Sequence, residues 1–213
     1  MALKIGVLSQ KGGVGKSTLA RAIAVEFARK EFNVKIADMD LKQGTSTSWN
    51  ALRQDKKVKP KIEAQLFGEV KDVLKQDDLY DLIIFDGVGQ ADSQTLAIAK
   101  ACNVVVLPSG LSRDDLAPQI KLGNEMIKKG VSRQKIGFSL SRTGRSEREI
   151  QDAKDLIESV GYAYLGNIDE KTSITQAHDQ GLSANETKYD TINQTVDQVI
   201  QAIVDLIEND VNV

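Results

Sequence analysis

Residues Gln10 to Thr18 read QKGGVGKST. Two lysines, three glycines and a pair of hydroxyls crowd into one short segment, between the apolar run Leu3 to Leu8 and the helical stretch Leu19 to Lys30. Glycines there let successive backbone N–H groups converge on one concavity, which suits phosphate oxygens. A following helix N-terminus adds partial positive charge. Lys16 then supplies a mobile cation for the outer phosphates, and Ser17 a hydroxyl for Mg²⁺. Acids end two apolar runs further on, in Asp38-Met39-Asp40 and in Leu82-Ile83-Ile84-Phe85-Asp86. The second is the form in which a buried strand hands a carboxylate to a Mg²⁺ shell. One acid after a strand is commonplace; two, together with the loop, make a site.

These groups need a frame. Short apolar, β-branched runs predict strands at Leu3–Leu8, Val34–Ala37, Leu82–Phe85, Val104–Leu107, Ile136–Leu140 and Tyr162–Leu165. Several are apolar without alternation, as in sheets covered on both faces. Helix signals fall between them. Ser146-Glu147-Arg148-Glu149 is a capping box for a helix reaching Val160, with Gly161 beyond its end. Ser112 precedes a helix ending near Gly130, with Pro118 in its first turns or kinking it. Asp190 to Glu208 carries the apolar stripe Val196, Val199, Ile200, Ile203, Val204 and Ile207. Alternating strand and helix predict an α/β, doubly wound, mainly parallel sheet with helices on both faces. The phosphate loop, Asp40 and Asp86 all fall at carboxyl ends of strands, where such sheets bind ligands.

Composition bounds the rest. The 213 residues suit a single domain, 1–213, with 41% apolar and 27% charged residues. Aromatics are only 5%, so the core must be aliphatic. The net charge of −2 does not suit a dedicated nucleic-acid binder, so any DNA contact needs a local patch. Cys102 stands alone, which excludes an intrachain disulfide or a multi-cysteine metal site and fits a reducing cytoplasm. The lone His178 reads as a surface or helix-packing residue. No run approaches the apolar length of a membrane span, and the early phosphate loop leaves no signal-peptide layout and no room for an N-terminal helix-turn-helix domain. The basic run Gln54 to Lys61 reads as a solvated turn leading into a short strand.

The ordinary phosphate-loop pattern opens with glycine; here that position is Gln10, followed by a second lysine, Lys11. In this the segment resembles the deviant Walker A box of the ParA/MinD superfamily of ATPases. The resemblance implies a P-loop NTPase fold, ATP and Mg²⁺ as ligands, and phosphate contacts from Lys11, Gly12, Gly13, Val14, Gly15, Lys16, Ser17 and Thr18. It implies Ser17, Asp40 and Asp86 around the metal, with Asp40 also orienting the attacking water. Lys11 would reach across a dimer interface to the partner's phosphates, making a sandwich dimer conditional on ATP; a contact in cis is the other possibility. Where the family's switch I reads DxDPQ, this chain reads Asp38-Met39-Asp40-Leu41-Lys42-Gln43. Its switch II is Asp86-Gly87-Val88-Gly89, without the family's prolines. Trp49 matches an aromatic after switch I in the small partition ATPases, or simply anchors a helix to the core. The strand end Phe138-Ser139-Leu140-Ser141-Arg142 and the chain's length resemble the same subgroup.

The resemblance to that subgroup implies a slow, partner-stimulated ATPase, cytoplasmic and nucleoid-associated when ATP-bound. The dimer would bind nonspecific DNA and segregate or position a plasmid or chromosome locus, released by a ParB-type adaptor. Candidate DNA contacts are Arg142, Arg145, Arg148, Lys154, Lys171 and Lys188. The alternatives are positioning of another cargo, conjugative DNA transfer, or a MinD-type ATPase on the membrane surface. The acidic tail Ile207 to Val213 argues against the last. One cysteine argues against an iron–sulfur reductase on the same fold, while a ligase-like member stays open.

Overall fold

A computed structural model describes residues 1–89, 93–144 and 146–211. Its centre is a seven-stranded, wholly parallel sheet of β1 (Leu3–Val7), β2 (Val34–Asp38), β3 (Glu63–Leu66), β4 (Leu82–Asp86), β5 (Val104–Ser109), β6 (Ile136–Thr143) and β7 (Ala163–Asp169). The strand order is β3-β2-β4-β1-β5-β6-β7. β1 therefore lies inside the sheet, between β4 and β5.

Successive residues of the central strands feed opposite cores. Leu82 and Ile84 join one apolar cluster, Ile83 and Phe85 the other; Val104 and Val106 part from Val105 and Leu107 in the same way. Both strand faces are thus apolar, which is why these runs show no polar alternation. The first cluster takes Leu19 and Ile23 of α1 (Lys16–Arg29), Trp49 of α2 (Thr45–Asp55), Ile174 of α7 (Thr172–His178), and Val196, Val199 and Ile203 of α8 (Asp190–Val211). The second takes Val70 and Val73 of α3 (Val70–Leu74), Ile98 of α4 (Ser93–Ala101), Leu122 and Met126 of α5 (Arg113–Lys128), and Ile157 of α6 (Glu147–Ser159). Helices cover both faces, as the sequence predicts.

The ends match the capping signals. The Ser112 hydroxyl accepts from the Asp115 N–H at 3.2 Å, and that of Ser146 from the Glu149 N–H at 3.4 Å. Pro118 lies inside α5, which runs on through it. α1 begins at Lys16, three residues before the expected start, so its first turn is part of the glycine loop. The short edge strand β3 follows the basic run, as expected.

Candidate functional site

Register brings the acids together. Asp86, last of β4, pairs with Val7 of β1 on one side and Asp38 of β2 on the other. The loop leaving β1 therefore lies directly over Asp86. Its path is set by Gln119 of α5, which is 2% exposed. The Gln119 carboxamide donates to the Leu8 carbonyl at 3.2 Å and the Pro108 carbonyl at 3.0 Å, and accepts from the Gln10 N–H at 3.1 Å. One buried side chain so ties the loop's root to β5.

Gly15 opens α1 with φ 88°, a left-handed backbone that other residues rarely adopt. A Cβ there would lie 3.0 Å from the Ser141 hydroxyl. Gly89 packs equally close, with 3.2 Å between a hypothetical Cβ and the Gly12 Cα, so the segment after β4 rests on the loop itself.

A cavity of about 240 Å³ opens over this loop. Gly12, Gly13, Gly15, Lys16, Ser17 and Thr18 line it, and so do Asp40 and Asp86. Lys16 is 8% exposed, and its ammonium donates to the Lys11 carbonyl at 3.3 Å. Burial lowers its pKa, opposed by the fields of Asp86 and Asp40. Asp86 is 2% exposed; burial pushes its carboxyl up from the usual range, partly offset by hydroxyl hydrogen bonds. One of its oxygens accepts from the Ser46 hydroxyl at 2.6 Å, while the buried Oδ1 has no partner. The Ser17 and Thr45 hydroxyls lie 3.0 Å apart beside it.

That orphaned carboxylate oxygen, with hydroxyls around it, suits a hard divalent cation. No group of three or more His, Cys, Asp or Glu that could cage a metal occurs among the described residues. Mg²⁺ needs no such cage when substrate phosphates complete its shell. Ser17 and Asp86 fit that role.

The two switch I acids differ in occupation. Asp38 is 1% exposed and accepts at Oδ2 from the Ser46 and Thr47 N–H groups, each at 3.0 Å, so it caps α2. Asp40 accepts at Oδ1 from the Lys42 and Gln43 N–H groups, each at 3.1 Å, and lines the cavity.

Two predicted loop residues stand apart from the cavity. Val14 is buried in packing. Lys11 ion-pairs with Asp115 of α5, and the Asp115 carboxyl is held below its usual range, by hydrogen bonds from Lys11 and then Ser112. Ser112 donates to the same carboxylate at 2.6 Å.

Sequence reasoning missed several partners. Arg21, 7% exposed, lines the cavity and donates to the Ser46 hydroxyl at 3.3 Å; its spacing of four from Ser17 on a helix was the available signal. Asp115 and Gln119 carry no local signal, because α5 meets the loop only in the fold.

A second cavity, about 160 Å³, shares Gly15, Thr18 and Arg142 with the first and adds Lys171, Thr175 and His178. Arg142 and Lys171, candidates for DNA contact, line this cleft, and Lys171 pairs with Asp169 at 3.1 Å. His178, at the end of α7, is half-buried, which fits the helix-packing alternative. Burial, and then Arg21, lower its pKa to about 4, and its Nε2 is buried without a partner. Arg145 lies outside the described residues. Trp49 donates its indole N–H to the Leu182 carbonyl at 2.9 Å and anchors α2 in the core.

The family profile described as the CobQ/CobB/MinD/ParA nucleotide binding domain matches residues 5–184. The chain belongs to this family. Among its MinD/ParA relatives, the septum site-determining protein MinD of Buchnera aphidicola is 27% identical over 89% of each chain. MinD of Pyrococcus horikoshii, solved in complex with Mg-ADP, superimposes with a TM-score of 0.75 over 99% of each chain at 19% identity. A plasmid partition protein of Borrelia burgdorferi bound to AMPPNP gives a TM-score of 0.70 over 96% of this chain and 99% of that one, at 18% identity. The MinD/ParA fold and the loop-centred cavity thus coincide in this chain.

Proposed function

We propose that this chain is an ATP hydrolase that works as a switch. It takes Mg-ATP in the loop cavity, dimerises, and resets on hydrolysis. The observation that carries this is the convergence of Lys16, Ser17, Asp40 and the orphaned Asp86 oxygen on one cavity. Ser17 and Asp86 would hold Mg²⁺, which would supply positive charge against the phosphates. The second cavity, which adjoins the first at Gly15, Thr18 and Arg142, would hold the nucleobase side of the ligand. Asp40 holds the attacking water, and Gly12, Gly13 and Gly15 present backbone N–H groups to the phosphates. Lys11 leaves Asp115 and reaches the phosphates of a second copy, where a cation in trans stabilises charge on the transferring group.

The ATP-bound dimer binds DNA without sequence preference and positions a plasmid or chromosome locus with a ParB-type adaptor. The cytoplasm, and the nucleoid when ATP is bound, is its place of action. A membrane-surface role is disfavoured by α8, whose apolar residues Val196, Val199, Ile200 and Ile203 are buried in the core. No helix of the described residues is long and apolar enough to cross a membrane. With Arg142 and Lys171 assigned to the ligand cleft, the DNA face falls to Arg148, Lys154 and Lys188. Two weak patches on one rigid dimer gain from effective concentration. Gel shifts on duplex DNA test this. Retention is expected with Mg-ATP but not Mg-ADP, falling steeply with salt, and lost in Arg148→Glu/Lys188→Glu. An ATP-bound dimer with no DNA affinity at low salt would remove the partition role and leave a switch acting on another scaffold.

A further inference from the structure

A cavity larger than the one over the phosphate loop lies elsewhere in the fold. It holds about 650 Å³ and lies at the other end of β2, where Asn33 and Val34 begin the strand, beneath the basic run that follows α2. That volume is in the range of pockets that enclose small organic ligands.

Its chemistry is polarised. Val34, Val58 and Ile62 supply an apolar floor. Lys57, Lys59 and Lys61 stand exposed around it, and none of the three has an ion-pair partner among the described residues. The other charged linings are neutralised already. Arg53 is locked by Glu186 at 2.6 Å, with the Pro60 and Gly181 carbonyls at 3.1 Å and 3.0 Å. Glu63 accepts from the Tyr80 hydroxyl at 2.5 Å and lies 3.6 Å from Lys35. The rim therefore carries uncompensated positive charge.

An independent observation comes from Asn50, which lines the same cavity. It is 3% exposed, and its side-chain oxygen is buried with no hydrogen-bond partner. Leaving a buried acceptor unpaired is costly. A ligand N–H or O–H within reach would remove that cost.

We propose that this cavity is a second binding site, separate from the nucleotide cleft, for a small aromatic carboxylate bearing one N–H or O–H. The ring fills the apolar floor, the carboxylate meets the lysines, and the donor satisfies Asn50. A ligand without the carboxylate gains nothing from the lysines; one without the donor leaves Asn50 unpaired.

Amide-resolved NMR titration with indole-3-acetate tests this, using indole as the uncharged control and 1-naphthaleneacetate as the control without a donor. Shifts are expected on residues 50–63 and to persist with saturating Mg-ADP. Affinity should fall about tenfold or more for each control, the loss equivalent to one charge-assisted or buried hydrogen bond. It should fall similarly in Lys57→Gln/Lys59→Gln/Lys61→Gln, whose exposed side chains leave the fold intact, and in Asn50→Leu. No shift up to about 10 mM ligand, well above a millimolar dissociation constant, would overturn the proposal. So would shifts centred on the phosphate loop, affinity for indole equal to that for indole-3-acetate, or affinity for indole-3-acetate unchanged in the triple-glutamine variant.

Discussion

Asp38 and Asp40 stand two residues apart and do different work. Asp40 keeps one oxygen on backbone N–H groups and faces the cavity near Lys16. Asp40→Ala is expected to bind ATP like the parent and to lose about 10²–10⁴-fold in turnover, the usual contribution of a general base or water-orienting group. Single-turnover hydrolysis beside calorimetric ATP binding checks both halves. Lys11 holds an ion pair with Asp115 that the proposed contact in trans would have to break. Lys11 is 56% exposed and Asp115 20%, so the pair is worth at most about 1 kcal/mol. Asp115→Ala should therefore tighten the ATP-dependent dimer by up to about fivefold, read from concentration-dependent sizing; weaker dimers would show that Asp115 supports the assembled state instead. His178 sets a pH dependence. Its folded pKa, about 4, lies below the ordinary 6.5, so the fold favours the neutral ring. Its stabilising contribution is complete above pH 6.5 and is lost as pH falls toward 4. His178→Gln should flatten that part of the stability curve in urea melts between pH 7 and 4.

At the scale of elements, α2 shows why part of the site was hidden from the sequence. Its first turn, Thr45-Ser46-Thr47-Ser48, consists of residues that favour turns and caps over helix interiors. Its cap is the Asp38 carboxylate from the end of β2 rather than a neighbouring side chain. Asp38→Ala should cost about 1–2 kcal/mol of folding stability by urea denaturation, as loss of a strong helix cap does, whereas Asp40→Ala should cost little. The central strands were legible because two-sided burial writes itself as uninterrupted apolar runs. The capped helices α5 and α6 were legible because Ser112 and Ser146 sit beside the turns they cap. The edge strand β3 reads Glu-Ala-Gln-Leu, and its largely exposed, polar residues leave little pattern beyond the turn before it. The loop, Asp40 and Asp86 were found because they are contiguous with strand ends. Arg21 needed helix geometry, and Asp115, Gln119 and the cavity under Lys57 to Lys61 needed the tertiary fold.

At the scale of the molecule, the proposed switch would couple nucleotide, partner copy and DNA through one loop. Gly12, Gly13 and Gly15 to Thr18 touch the cavity, Gly89 rests on Gly12, and Lys11 projects to the side where Asp115 holds it. A net charge of −2 gives the monomer no general attraction for DNA, so in the proposed switch assembly comes first. The most direct measurement is therefore the mass in solution by light scattering, with Mg-ATP and with Mg-ADP, for the parent and for Lys11→Ala and Lys16→Ala. The switch described here requires two chains for the parent with Mg-ATP and one with Mg-ADP. Lys11→Ala should bind ATP yet stay a monomer, and Lys16→Ala should stay a monomer because it no longer holds ATP tightly. A parent that has the same mass with either nucleotide, while binding both, would contradict it.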